Sequence, residues 1–137
     1  LENKTGGAIR GNISNISHLS QSLLQKAYTA PDYDETKQKK YAILKSRYNA
    51  LKQALNNTKY AEYFEPLPFN SGYFMCVSIK KGLNAEQVRQ QLLNQYSTGV
   101  IVFGNVIRLA FSAVPQAKIP ELIENLYKAC RDVDSSK

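Results

Sequence analysis

The sequence predicts an α+β fold: two N-terminal helices followed by a small mixed β-sheet with helices packed on one face. Three observations carry that expectation. Apolar side chains recur at helical spacing through Tyr41, Leu44, Tyr48, Leu51 and Leu55. Two later runs, residues 73–79 and 106–112, alternate at period two as strands do, and helical patterns lie between and after them. The first half of the chain holds no such alternating run. With 137 residues, 43% hydrophobic and 21% charged, the chain has the size and composition of one ordinary globular domain.

Taken in order, Gly6-Gly7 reads as a flexible lead-in, and Arg10-Gly11-Asn12 leads into Ser14-Asn15-Ile16-Ser17-His18-Leu19-Ser20-Gln21, rich in residues that cap helices. A helix then runs through Leu19, Leu23, Leu24 and Ala27. Pro31-Asp32 ends it, because proline disfavours helical geometry in its predecessor, and Asp32 or Asp34 can cap the next helix. That second helix carries the Tyr41 to Leu55 stripe and should stop near Asn56-Asn57, where asparagine tolerates the left-handed conformation. Glu65-Pro66-Leu67-Pro68 reads as a rigid connector.

The next strand places Tyr73, Met75, Val77 and Ile79 on one face and Phe74, Cys76 and Ser78 on the other. Lys80-Lys81-Gly82 turns the chain, and Asn84 with Gln87 resembles a capping box before a helix through Val88, Leu92, Leu93 and Tyr96. Two short strands broken at Gly104-Asn105 come after it. Pro120 suits the first turn of a last helix whose apolar face is Leu122, Ile123, Leu126, Tyr127, Cys130 and Val133, and residues 134–137 should fray.

Charge and composition exclude several functions. Of the net charge of +7, six units fall in residues 1–60, mainly on Lys37, Lys39, Lys40, Lys45, Arg47 and Lys52 of one helix. That pattern is read as a solvated helix face rather than a nucleic-acid surface. No run approaches the roughly 18 apolar residues of a membrane helix. The first residues are neither a signal core nor an arginine-rich transit peptide, so a cytoplasmic protein with reduced thiols at Cys76 and Cys130 is expected. His18 is the single histidine, with no second histidine or cysteine near it in sequence, and no phosphate loop occurs. No metal site and no complete catalytic constellation can be assembled from the residues alone.

One residue breaks the apolar pattern of the last strand. Ile107, Leu109 and Phe111 share one face, while Val106, Arg108, Ala110 and Ser112 share the other. Small side chains beside an arginine leave room around its planar fork of donors, an arrangement suited to a carboxylate. Spacing by itself favours an arginine on the solvated face of the sheet.

The block Pro68-Phe69-Asn70-Ser71-Gly72-Tyr73-Phe74, then a helix, then Gly99-Val100-Ile101-Val102, then Val106-Ile107-Arg108-Leu109-Ala110-Phe111-Ser112 and a closing helix, resembles the C-terminal small domain of the fold-type I, pyridoxal-phosphate-dependent aminotransferases of class I/II. The resemblance implies that Arg108 binds the α-carboxylate of the substrate and that Phe74 borders it. Ile9-Arg10-Gly11-Asn12-Ile13-Ser14-Asn15 is similar to the Ile-Arg-x-x-x-Ser-Asn segment of aspartate-type aminotransferases, whose arginine reaches into the neighbouring subunit's site to bind a side-chain carboxylate. Here Ile16-Ser17 stands where that family has Pro-Pro.

The resemblance further implies that residues 1–31 are the end of a large domain and 32–137 a small domain with its long connecting helix. Lys4, in Asn-Lys-Thr-Gly-Gly, departs from the family's Ser-x-x-Lys or Ser-x-Ser-Lys pattern, and Lys80 and Lys81 are turn residues. The Schiff-base lysine and the ligands of pyridoxal 5'-phosphate are thus expected upstream of this segment. The chain reads as the C-terminal fragment of a homodimeric enzyme that moves an amino group between an amino acid and a 2-oxo acid, and as inactive by itself. Two other readings stay open: a small basic module binding nucleic acid or another anion, and a decarboxylase or lyase on the same cofactor.

Overall fold

The computed structural model describes residues 1–12, 17–70 and 72–136, and the chain divides into two compact units, residues 1–40 and 41–137. The first unit holds α1 (Glu2–Asn12), α2 (His18–Tyr28) and the first turns of α3 (Tyr33–Leu55). The lead-in expected at Gly6-Gly7 is instead helical. α1 buries no side chain, so its support is its hydrogen-bonded backbone with the Thr5 hydroxyl and Asn12 amide donating to the Leu1 and Ala8 carbonyls, against the cost of about 1 kcal/mol that each glycine adds to a helix interior. The capping residues Ser14 and Asn15 lie outside the described residues. Ser17 stands at the N-cap of α2 without a side-chain bond, and Leu19, Leu23 and Leu24 project from α2 more than half exposed.

In the second unit α3 runs to Leu55, and four strands, β1 (Phe64–Pro66), β2 (Met75–Ile79), β3 (Ile101–Phe103) and β4 (Val106–Leu109), form one sheet in the order β1-β2-β4-β3. Every pair is antiparallel, so the expected mixed sheet is corrected. The reason is topological. β2 and β3 run in the same direction and are joined by α4 (Ala85–Tyr96), but β4 returns through a tight hairpin and inserts between them, which leaves no parallel pair in contact. The connector at Glu65-Pro66 is also corrected, because it forms β1. Its proline is tolerated at the sheet edge, and Leu67 N–H continues the ladder by donating to the Cys76 carbonyl at 2.9 Å.

The inward face of the sheet consists of Met75, Val77 and Ile79 from β2 and Ile107 and Leu109 from β4, all buried. Onto it pack Leu51 of α3, Val88 and Leu92 of α4, and Ile123, Leu126 and Cys130 of α5 (Ile119–Ser135). Each such side chain contributes about 1.5–3 kcal/mol relative to an exposed one, which makes this single helix-on-sheet layer the support of the unit. Burial pushes the Cys130 thiol up to about 12, so it behaves as a small apolar residue. Leu93, expected on the same face, is nearly half exposed; the buried line of α4 is Ala85, Val88 and Leu92.

The turns fix the register. Lys81 and Gly82 are both left-handed, at φ 56° and 63°, while Leu83 N–H donates to the Lys80 carbonyl at 3.1 Å. Two such residues in succession mark a primed turn. Between Phe103 and Val106 only Gly104, at φ 57°, is left-handed, the signature of a II′ hairpin with glycine first. Asn105 then anchors the hairpin to the end of β2: its side-chain amide donates to the Ile79 carbonyl at 2.7 Å, and its own carbonyl accepts from Ile79 N–H at 3.0 Å.

Caps complete the frame. The Asn84 side chain accepts from Glu86 and Gln87 N–H at 2.9 and 3.2 Å, as the sequence suggests. α3 ends at Leu55, next to Asn56-Asn57 as expected, but without a left-handed asparagine. Asn57 is extended, at φ −76°, and caps the 3-10 turn Thr58–Glu62 by accepting from Lys59 N–H. At the other end α5 continues through Asp134, expected to fray, because that carboxylate pairs with Lys81 at 3.2 Å.

A polar pin joins α4 to α5. The Asp132 carboxylate accepts from Tyr96 Oη at 2.5 Å and from Gln91 Nε2 at 3.2 Å, and the tyrosine hydrogen bond, ahead of the other contributions, holds its pKa below the usual value. A lowered carboxylate contributes stability that is complete above its unfolded value of about 4 and is lost as pH falls through the lower folded value. Asp132→Asn should therefore flatten the fall in urea midpoint below about pH 4 relative to the wild type. Leu126→Ala, which empties a fully buried site, should cost about 2–5 kcal/mol in the same denaturation measurement at neutral pH.

Candidate functional site

The outer face of the sheet, opposite the core, carries the site. β4 presents Ile107 and Leu109 inward, so Val106 and Arg108 face outward, where Arg108 lies between its register partners Cys76 on β2 and Ile101 on β3. The arginine is half-buried, and its guanidinium carbon lies 4.4 Å from the ring centroid of Phe74 and 5.5 Å from that of Phe103. Among the described residues no carboxylate or carbonyl accepts a hydrogen bond from it. The only acid within the strands, Glu65, pairs with Lys80 at 3.3 Å. A fork of donors with aromatic rings against it and no acceptor in hand has the chemistry to take a planar anion.

The surroundings of Arg108 differ from the sequence expectation in two places. β4 ends at Leu109, and residues Phe111–Ala113 form a 3-10 turn, so Ala110 and Ser112 do not continue the outward row. Phe111 still turns inward and is buried. Likewise β2 begins only at Met75: Gly72, at φ 91°, turns the chain just ahead, and Tyr73 stays exposed rather than joining the core. Phe74 follows the outward alternation, 45% exposed, against Arg108.

Two hydrogen bonds at Ser112 hold the chain beyond the arginine. Ser112 N–H donates to the Tyr73 carbonyl at 3.3 Å, and the Ser112 carbonyl accepts from Arg47 Nη1 of α3. Arg47, read in the sequence as one charge of a solvated face, therefore has a structural partner. Other cations of that helix are engaged locally: Lys39 pairs with Glu35 at 2.6 Å, Lys45 lies 5.5 Å from the Tyr41 ring and Lys52 lies 4.6 Å from the Phe69 ring. A cleft of about 370 Å³ beside this helix is lined by Tyr41, Leu44, Lys45, Tyr48, Asn70 and Tyr73.

Of the residues the sequence singled out, Arg108 and Phe74 are brought together. Arg10 belongs to the first unit and is exposed in the last turn of α1, where the helix carbonyl end favours a cation. Phe103 is the residue that sequence reasoning missed, although a signal for it exists. A two-residue loop at Gly104-Asn105 pairs Phe103 with Val106, and Val106 shares the outward face with Arg108.

Removing the Arg47 side chain leaves the Ser112 carbonyl without its charged donor. Arg47→Ala should lower stability by about 1.5–3 kcal/mol in chemical denaturation. It should also speed hydrogen exchange at Ser112 and Ala113 more than in β2.

Neither a protein-family model nor a curated protein matches the chain. Among solved structures it is similar to LysN, an alpha-aminoadipate aminotransferase from Thermus thermophilus complexed with N-(5'-phosphopyridoxyl)-L-leucine, at 17% identity and a TM-score of 0.78, over 96% of this chain and 35% of that one. It is similar to a multiple substrate aminotransferase from Thermococcus profundus at 19% identity and 0.77, over 95% and 34%. An aminotransferase from Anaerococcus prevotii matches at 22% identity and 0.70, over 95% and 31%. The chain thus spans about a third of the length of the structures it matches, and at these identities the likeness is one of fold: nearly all of it folds as a segment of an aminotransferase does.

Proposed function

We propose that this chain is the C-terminal, carboxylate-binding part of a pyridoxal-phosphate-dependent aminotransferase that moves an amino group between an amino acid and a 2-oxo acid. The observation that carries the reading is Arg108, half-buried against two aromatic rings and without an acceptor among the described residues, on an aminotransferase fold. Its guanidinium takes the substrate α-carboxylate through paired N–H to oxygen bonds, which fix orientation as well as adding energy. Fixing the carboxylate fixes the plane in which the substrate's α-carbon sits, the positioning contribution to catalysis. Phe74 forms one wall beside that carboxylate. Arg10 serves a side-chain carboxylate in the neighbouring subunit of a homodimer.

The cofactor is not held by this chain's own residues. A pyridoxal group needs a desolvated amine, a carboxylate against its ring nitrogen and donors for its phosphate. Among the described residues no polar or charged side chain is buried, so no lysine among them is a desolvated amine. The residues present do not fit that cradle, so the cofactor's ligands lie in other parts of the parent protein, and this chain alone is inactive. In this reading residues 1–31 end the large domain, residues 32–137 form the small domain, and the parent works in the cytoplasm with Cys76 and Cys130 reduced. Among the described residues no helix is long and apolar enough to cross a membrane.

The complete gene product, supplied with the cofactor, should show the visible absorption of a lysine-bound pyridoxal and form a 2-oxo acid from its amino acid substrate. Arg108→Ala should raise the KM for amino and oxo acid by roughly 10- to 100-fold, the range for losing hydrogen bonds to a charged group, while leaving the absorption intact. A product amine with release of carbon dioxide would assign the decarboxylase chemistry instead. A protein without the chromophore overturns the reading.

A further inference from the structure

The Phe103 side chain is not part of the core. Its ring is 57% exposed although it is one of the larger apolar side chains of the sheet, and it belongs to neither the buried core nor the apolar residues packed against it. Its position is nevertheless closely fixed. The II′ turn at Gly104 pairs Phe103 with Val106, and Asn105 ties the hairpin to Ile79 through both its side chain and its carbonyl. Outward-facing residues on neighbouring strands that are offset by two positions lie within reach of long side chains. Phe103 stands in that diagonal relation to Arg108, and the guanidinium carbon lies 5.5 Å from its ring centroid.

Phe74 approaches the same guanidinium from the other flanking strand's leading end, at 4.4 Å. A free arginine side chain samples many rotamers, and holding it in one costs entropy each time a ligand binds. Rings from both sides attract the cation through their π faces but offer no hydrogen-bond acceptor, so they restrict the side chain without using up its donors. A carboxylate in place of either ring would restrain the arginine too, and would occupy the fork that the substrate needs.

We propose that Phe103 is a positioning residue for substrate carboxylate binding, acting with Phe74 to hold the Arg108 guanidinium in its binding orientation before substrate arrives. The inference rests on the carboxylate role of Arg108 under the proposed function and adds to it a residue on β3.

The test uses the complete enzyme and steady-state kinetics with a monocarboxylic amino acid and its 2-oxo acid. Phe103→Leu should raise both KM values by roughly three- to tenfold, what one cation–π contact is worth, with kcat changing less. Phe103→Tyr should restore them, since the ring face is kept. Because the side chain is exposed, the thermal midpoint of Phe103→Leu should stay near that of the wild type. Unchanged KM values in Phe103→Leu, or a Tyr variant as impaired as the Leu variant, overturn the brace. If Arg108→Ala also leaves KM unchanged, the carboxylate reading itself falls; if Arg108→Ala raises KM and Phe103→Leu does not, only the role of Phe103 falls.

Discussion

The register between β2 and β4 is the constraint on which the rest of the second unit depends. Met75 opposite Leu109 and Val77 opposite Ile107 join two apolar rows on one face, while Cys76 opposite Arg108 puts the arginine on the other. A shift by one residue would exchange the faces, driving a guanidinium under the helices and two large aliphatic side chains into water. The desolvation of the core and the display of the cation are therefore one choice, made once by period-two alternation. The helices, the turns and the anchoring asparagine all serve to keep that choice.

The site side of the sheet works by leaving something undone. Several other charged groups of the second unit have polar partners, as in the Asp132 pin, the Lys81 pair with Asp134 and the Arg47 bond to the Ser112 carbonyl. Arg108 receives aromatic faces instead of an acceptor. Arg47 and Arg108 thus show one side-chain chemistry in two settings: one commits a donor to the backbone beyond β4, and the other has no hydrogen-bond acceptor among the described residues. The difference lies in what the neighbouring strands present, not in the arginine.

Much of this was legible in the sequence, and the failures have physical causes. Alternation through residues 106–109 correctly separated Arg108 from Ile107 and Leu109, because one buried face imposes the pattern. It overran at Ala110 and began early at Tyr73, since alternation does not report where the backbone bends, and Gly72 and the 3-10 turn after Leu109 end the strands from outside. β1 was hidden by Pro66 and Pro68, whose effect on a ladder depends on edge position, a property of the assembled sheet. The helical state of α1 runs against the propensity of its glycines. The pairing of Phe74 with Arg108 could be anticipated from resemblance and face; that of Phe103 needed the hairpin loop to be counted.

The side chains of a cross-strand pair share a face whatever the length of the loop that joins them, so the place of Phe103 beside Arg108 depends on its pairing with Val106 and not on a count of loop residues. The present loop keeps that pairing with two residues and a glycine at φ 57°. A longer loop that closed on the same pair would leave the aromatic where it is, whereas a slip of β3 against β4 by one residue would turn it to the core side. The tip of the hairpin is therefore free to vary in length, and the pair at its base is not.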